Sequence, residues 1–239
     1  MWLMNSFVEV ESWEAAQSKS LGYEHPSVIG YYENLAPRPV IDSPKIFQRV
    51  EVLRKCWDAL SSAESPNVLD VGGGNGYMAE LLQQPFKSWT VLESTRMARL
   101  YSKKFNQKSL SFISELTDST KPDICIISCV LHYLEKPEEL LSRVLGLTDK
   151  VIILRHCETE FSRDRYAIQK IREPEIELSW PIRFFRKGWL ADQLATQHRI
   201  LEQYEMMEQN SLDGVDIKLR SFAILSDKHS PNASAPIND

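Results

Sequence analysis

The chain predicts an α/β fold, a doubly wound, mostly parallel sheet with an N-terminal helical cap. Three observations predict it. From Asn67 to Leu154 short apolar segments alternate with amphipathic ones, the rhythm of successive βα units. One of them, Ile124-Cys125-Ile126-Ile127, is apolar throughout, as expected for a strand covered on both faces. The first, Val68-Leu69-Asp70-Val71, runs straight into glycines at 72, 73, 74 and 76, and an amphipathic stretch with Tyr77, Met78, Leu81 and Leu82 follows at once. That order is strand, tight bend, helix.

The elements follow in sequence. A short helix is expected near residues 12–19, then an aromatic stretch with Tyr23, Tyr31 and Tyr32, then a break at Pro37 and Pro39. A longer helix runs from about Ser43 to Leu60: Pro44 suits its first turn, and Ile46, Phe47, Val50, Leu53 and Trp57 recur at helical spacing. Residues 1–62 thus read as the cap and 61–66 as a linker. Strands are expected at Val68–Val71, Trp89–Glu93, Leu110–Ile113, Asp123–Ser128 and Lys150–Leu154, with helices near 76–84, 95–106 and 137–146. Residues 156–187, mixed in charge and carrying Pro174 and Pro181, interrupt the rhythm. They read as a substrate-recognition insertion within a domain spanning 63–226. A helix near 188–196 and alternating segments near 200–207 and 218–225 close the domain, and the polar, proline-containing 227–239 reads as a disordered tail.

Composition narrows the function. At 239 residues the chain is one domain with additions. Its 28 basic and 33 acidic residues give a net charge of −5, so nothing draws it strongly to nucleic acid or an anionic membrane. No apolar run approaches the roughly 20 residues of a transmembrane helix. Met1-Trp2-Leu3-Met4-Asn5 does not read as a signal peptide, and the sequon Asn232-Ala233-Ser234 reads as accidental. Cys56, Cys125, Cys129 and Cys157 form no Cys-x-x-Cys pair and show no zinc spacing, which fits a reducing cytoplasm.

Without a Cβ, a glycine bend lets a ligand approach the backbone closely, and the helix that follows aims free N–H groups at it. A dinucleotide loop, Gly-x-Gly-x-x-Gly, fails in both frames: from Gly72 the third glycine falls on Tyr77, and from Gly74 on Ala79, too late after the strand. The phosphate loop Gly-x-x-x-x-Gly-Lys-Ser/Thr is not in the sequence, and a glycine-rich hairpin without ligand is the bland reading. The spacing Asp70-x-Gly72-x-Gly74-x-Gly76 resembles the S-adenosylmethionine (SAM) loop of class I methyltransferases. Glu93, 23 residues beyond Asp70 at the end of the second strand, can accept both hydroxyls of a ribose, or alternatively cap the helix that starts at Ser94.

The resemblance implies a Rossmann-like, seven-stranded sheet with SAM as cofactor. It implies that Asp70 orients the loop or meets the cofactor's ammonium, and that Gly72, Gly73, Gly74 and Gly76 form the bend. Ser94 and Met97 would line the adenine face, Ser114 and Glu115 the adenine edge where aspartate is usual, and Ser128 and Cys129 the floor beneath the methionine part. Further matches resemble a group of methyltransferases often linked to surface-polysaccharide genes: Ser12-Trp13-Glu14-Ala15-Ala16, Gly22-Tyr23, Gly72-Gly73, Trp89-Thr90-Val91-Leu92-Glu93, Val130-Leu131-x-Tyr133-Leu134, Gln169 and Trp180-Pro181, over roughly residues 11–205. That group has serine where Gly74 and Gly76 stand and an acid where Leu154 stands.

Methyl transfer from a sulfonium mainly needs alignment of acceptor and methyl, and a hydroxyl acceptor also needs a base. His132, after the fourth strand, and His156, after the fifth, are the candidate bases; each could equally be a packed structural histidine, and no carboxylate at ligand spacing supports a metal pair. Arg155 and Arg165, with Arg163 and Arg183, suggest an anionic acceptor, although interleaved acids also describe a solvated surface. Tyr166, Gln169 and Trp180 are pocket candidates, and Tyr23, Tyr31 and Tyr32 form either a lid or an aromatic cluster. The run Arg96, Arg99, Lys103, Lys104, Lys108 reads as a solvated helix face, and no Asn/Asp-Pro-Pro-Tyr/Phe motif follows the fourth strand. The expectation is a cytoplasmic SAM-dependent methyltransferase, homodimeric, without metal, acting on a small polar, anionic or sugar-derived molecule at oxygen. The alternative is an inactive module that keeps the fold and the cofactor.

Overall fold

The computed structural model describes residues 4–34, 44–60, 65–105, 108–117, 119–173, 176–194, 198–206, 210–212 and 215–226. Its main sheet joins β2 (Asn67–Val71), β3 (Ser88–Leu92), β4 (Leu110–Ile113), β5 (Ile124–Ser128) and β6 (Lys150–Glu158) in parallel. The strand order is β10-β11-β6-β5-β2-β3-β4, with β9 (His198–Glu205) pairing β11 off that path. β10 (Asn210–Leu212) and β11 (Val215–Ser226) run antiparallel. A seven-strand path is present, and β9 makes eight. β2 is flanked by β3 and β5, so the winding reverses there and opens a crevice at the carboxyl ends of β2 and β5.

The alternation along β5 shows why the sheet is covered twice. Ile124 and Ile126 join one core with Leu53 and Trp57 of α3 (Pro44–Leu60) and Leu82 of α4 (Tyr77–Leu82). Cys125 and Ile127 join the opposite core with Leu141 and Val144 of α6 (Pro137–Leu147) and Leu190 of α7 (Trp189–Leu194). Period-two side chains with both faces buried leave no polar position from Ile124 to Ile127; the half-buried Ser128 comes only at the strand's end. Trp57 stacks on Trp89 with ring centroids 6.5 Å apart, tying α3 to β3. α5 (Thr95–Lys104) packs against β4 through a face carrying Met97, Ala98 and Tyr101, which leaves its basic run outside.

Two regions hold strands that the sequence reading did not give them. The N-terminal region is not wholly helical: β1 (Met4–Val10) precedes α1 (Trp13–Ser18) and α2 (Pro26–Asn34). The 156–187 excursion is strand: β6 continues to Glu158, and β7 (Arg165–Glu173) and β8 (Ile176–Phe184) form an antiparallel pair. β1 adds to β7, giving a second sheet in the order β1-β7-β8. The cap and the excursion are therefore one structure. Its inner side carries Val28, Ile171, Leu178 and Trp180, against which Tyr23, Tyr31, Tyr32 and Tyr133 pack. The break at Pro37 and Pro39 and the 227–239 tail lie outside the described residues.

Candidate functional site

A cavity of about 800 Å³ lies at the carboxyl ends of the parallel strands. Its floor is built by the first strand-to-helix bend. Gly72, Gly74 and Gly76 have φ of +70°, +60° and +75°, a region that L side chains enter at a cost. A Cβ on Gly72 would stand 2.6 Å from Val130 Cβ, whereas one on Gly74 would meet nothing within 4 Å. Gly72, Gly73 and Gly74 line the cavity. Gly76 does not: it lets the start of α4 close against Leu110, 2.9 Å from where its Cβ would be.

Asp70 is placed beneath the bend rather than in the cavity. It is wholly buried, and it accepts hydrogen bonds from Trp89 Nε1 at 3.2 Å and Ser128 Oγ at 2.9 Å. A Cβ on Gly73 would lie 2.2 Å from its Oδ2. Burial, partly opposed by those two donors, pushes its pKa up to about 7. Of the two roles expected for Asp70, its position beneath the bend matches loop orientation; it is not among the residues that line the cavity.

Glu93 lines the cavity at the end of β3. Its Oε1 accepts from Gly74 N at 2.8 Å and its Oε2 from Ser94 N at 3.3 Å, so it ties the glycine bend to the next strand. Burial raises its pKa against those two N–H groups. Beside it, Ser94 Oγ is buried without a hydrogen-bond partner. Met97, Ser114, Ser128 and Cys129 also line the cavity. Glu115 lies outside it, on a shallow depression beside Arg99 and Ser102.

The other wall is aromatic and cationic, with Tyr23, Tyr32, Tyr133 and Arg155. Burial pushes the pKa of all three tyrosines upward, so they keep their protons. Arg155 ends the straight run of β6 in a left-handed conformation, φ +58°, and Cys129 does the same after β5, φ +57°. Arg155 Nη1 donates to Cys129 Sγ.

Both expected bases are displaced from the cavity. His132 is 2% exposed, packed on the Tyr133 ring with its Nε2 3.7 Å from Cys129 Sγ. His156 is 1% exposed and stacks on both Phe185 and Trp189, at 4.8 and 5.4 Å. Burial holds His156 neutral, with its pKa lowered to about 3. The reason is pleat: β6 runs on to Glu158, so His156 is a strand residue pointing into the core. No histidine among the described residues lines the cavity.

Several expected acceptor residues stand behind the wall. Tyr31 packs edge-on to Tyr32 at 5.5 Å. Arg165 is paired with Glu9 of β1, and Tyr166 sits in the β1-β7-β8 sheet opposite Val10 and Arg183. Gln169 and Trp180 are buried and touch the wall through Tyr133. In their place the cavity takes residues that sequence reasoning missed. Tyr133 had a signal, the post-strand phrase around it, whereas Arg49 on α3 had none. Glu139 and Arg143 of α6 are four apart on one helix face, a spacing that could have flagged them. No His/Cys/Asp/Glu group among the described residues could hold a metal ion.

The sequence model of a family described as a methyltransferase domain matches residues 46–198. No curated protein matches the chain. Among solved structures, a SAM-dependent methyltransferase from Clostridium acetobutylicum is similar at a TM-score of 0.53 and 14% identity, covering 77% of this chain and 93% of that one. The N-terminal domain of EvdMO1, solved in the presence of S-adenosylhomocysteine (SAH) and D-fucose, is similar at 0.52 and 15% identity, covering 77% and 84%. The CcbJ methyltransferase from Streptomyces caelestis is similar at 0.52 and 13% identity, covering 84% and 96%. Likeness at this level of identity establishes the fold. Among the described residues no helix is long and apolar enough to cross a membrane.

Proposed function

The chain belongs to the methyltransferase domain family, and on that premise we propose that it moves a methyl group from SAM to an oxygen of a small, polar, anionic or sugar-derived acceptor. The observation that carries this reading is one cavity with two unlike walls. One is a side-chain-free bend closed by Glu93, and the other is tyrosines with Arg155.

The first wall fits an adenosyl amino acid. Gly74 offers backbone where a Cβ would meet only open space, and Ser94 Oγ is an orphaned buried hydroxyl beside it. Glu93 spends one hydrogen bond per oxygen on backbone N–H groups, and each oxygen keeps lone-pair capacity for a ribose hydroxyl. When bound, SAM supplies an electrophilic methyl group on a positively charged sulfur. Everything else is positioning by the chain. Gly72 to Gly74 allow close approach, and Val130 and Leu140 give apolar surface to a base. Arg155 offers a guanidinium to an anionic group on the acceptor. Holding two reactants in line is worth about 7 kcal/mol or more of barrier. With no histidine on the cavity wall among the described residues, alignment rather than an imidazole base carries the reaction.

A volume of about 800 Å³ suits a small acceptor beside the cofactor. That the EvdMO1 domain was solved in the presence of SAH and D-fucose supports a sugar-derived acceptor. Two measurements test the proposal. Calorimetry with SAM and SAH is expected to show saturable binding. Labelled methyl from SAM is then expected to pass to the small-molecule fraction of a cell extract. No binding at millimolar SAM would remove the proposal, and binding without transfer to any fraction would leave an inactive SAM-binding module.

A further inference from the structure

The acceptor side of the cavity is poor in groups that can take a proton. Among the described residues no histidine lines it. Burial keeps the phenols of Tyr23, Tyr32 and Tyr133 protonated. Cys129 Sγ already accepts from Arg155 Nη1 at 2.7 Å. Both oxygens of Glu93 accept from backbone N–H groups at the cofactor end. Glu135 and Glu139 are exposed, and Glu139 pairs with Lys136 at 3.0 Å. A hydroxyl reacting here must part with a proton, and so must an ammonium. The wall of tyrosines and Arg155 offers no base to receive it.

The same wall offers a cation, and the chain goes to some length to place it. Arg155 is half-buried and lines the cavity beside Cys129 and Leu154. Its φ of +58° is a conformation that costs energy in a non-glycine residue. Ser221 Oγ steadies the bend by accepting its N–H at 3.1 Å. The methyl donor is a sulfonium, so binding it brings a second positive charge into the cavity. An ammonium acceptor would add a third, whereas an anion balances the other two.

We propose that the reacting oxygen belongs to a carboxylate held by Arg155, and that the product is a methyl ester. One carboxylate oxygen forms a bond to the methyl carbon as the carbon–sulfur bond breaks, and that bond's electron pair stays on sulfur. The carboxylate and the sulfonium both become neutral. No proton is released, so the step needs no base. Arg155 donates to one oxygen and leaves the lone pairs of the other for attack. Opposite charges disappear along the way, and such a step is favoured where a carboxylate has lost its water. Met78, Leu134 and Leu154 line the cavity with the tyrosines and supply that apolar surrounding. A sugar-derived acceptor would accordingly be a sugar acid. The proposal rests on the methyltransferase reading above and names the group that is methylated.

The stability of the product to alkali tests it. The full chain is incubated with SAM labelled in its methyl group and the small-molecule filtrate of a cell extract, and the products are separated from SAM. Mild alkali hydrolyses a methyl ester to methanol, which leaves as vapour, whereas methyl ethers and methylamines keep their label. Most of the transferred label is expected to become volatile, and label that stays in solution would overturn the proposal. Arg155→Met is expected to slow transfer about tenfold or more, as loss of a charged hydrogen bond allows, while SAH affinity by calorimetry stays within about twofold. Arg155→Lys keeps the charge and should retain more of the rate. The urea midpoint of each variant checks its fold. Undiminished transfer in Arg155→Met would overturn the proposal. So would an SAH affinity that falls as far as the rate, since it would place the guanidinium on the cofactor's own carboxylate. A wild type that binds SAH but transfers nothing would be an inactive module, and one that does not bind would remove the methyltransferase reading; either result takes this inference with it.

Discussion

Two neighbouring glycines in the same bend should fail for opposite reasons. In Gly73→Ala the new Cβ would lie 2.2 Å from Asp70 Oδ2 and 2.3 Å from its Cγ. The carboxylate has nowhere to go: it is wholly buried and held by Trp89 Nε1 and Ser128 Oγ. Either the bend lifts or those two donors lose their acceptor. Overpacking costs about 1–3 kcal/mol and each orphaned buried polar group about 1–3 more, so a loss of about 3 kcal/mol or more is expected. In Gly74→Ala the Cβ meets nothing within 4 Å, and the cost is the left-handed φ of +60° alone. That is about 1–2 kcal/mol. The fold should hold, but the methyl group occupies backbone that lines the cavity, and SAH should bind about tenfold or more weakly, equivalent to about 1.4 kcal/mol. Urea unfolding and calorimetry with SAH read the two effects separately. A Gly73→Ala chain within about 1 kcal/mol of wild type by linear extrapolation would refute the reasoning. So would a Gly74→Ala chain whose SAH affinity is unchanged.

Glu93→Ala should weaken SAM about tenfold or more, since it removes both the ribose acceptor and the tie to Gly74 N; calorimetry showing unchanged affinity would discard that assignment. His156 has a folded pKa lowered to about 3 against 6.5, so below pH 6.5 the unfolded chain binds a proton that the folded chain does not. Its contribution is intact above 6.5 and falls by about 1.4 kcal/mol per pH unit toward pH 3; His156→Leu should remove that slope from a series of urea curves. Asp70 acts in the other direction: raised to about 7 from 3.8, it keeps a proton in the folded chain that the unfolded chain has lost. Stability from Asp70 therefore falls as pH rises from about 4 to about 7, and Asp70→Asn should flatten that fall. Between about pH 4 and 6.5 the two slopes oppose, so each single variant should expose the other's slope; profiles parallel to wild type would contradict both assignments.

The parallel half of the fold was legible because its signals are local. Ile124-Cys125-Ile126-Ile127 announces a doubly covered strand, and the glycines after Val71 announce the bend. β7 and β8 were not legible. Pro181 stands inside β8 opposite Ile168, and a proline in an apolar run argues against a strand unless the partner chain leaves its missing N–H unneeded. β1 pairs with β7 across more than 150 residues, a separation no local pattern encodes. The site divided along the same line. Gly72, Gly73, Gly74 and Glu93 are placed by short βα units and fell on the cavity. His156 was misplaced because β6 continues past Leu154 and the pleat turns the imidazole into the core. Arg165, Gln169 and Trp180 depend on the second sheet, whose pairing had to be known before their facing could be.

The ends of β5 and β6 show how the chain places its acceptor wall. Cys129 and Arg155 are non-glycine residues with φ of +57° and +58°, at matched levels on adjacent strands. Such a conformation costs on the order of 1–3 kcal/mol and persists only where neighbours over-determine it. They do so here: Cys129 N donates to Leu154 O at 3.0 Å, Arg155 N to Ser221 Oγ at 3.1 Å, and the two side chains meet through Nη1 and Sγ. Ser221 belongs to β11, so the antiparallel strand beside β6 holds its kink. β6 must turn at Arg155 to send the guanidinium into the cavity and still resume its ladder with β11 at His156. A straight strand would carry Arg155 and His156 in simple alternation and leave no break at which the cavity could open. Between the pairs Ile153–Phe222 and His156–Arg220, Leu154 and Arg155 of β6 stand opposite the single β11 residue Ser221, so the turn at Arg155 is a bulge in β6.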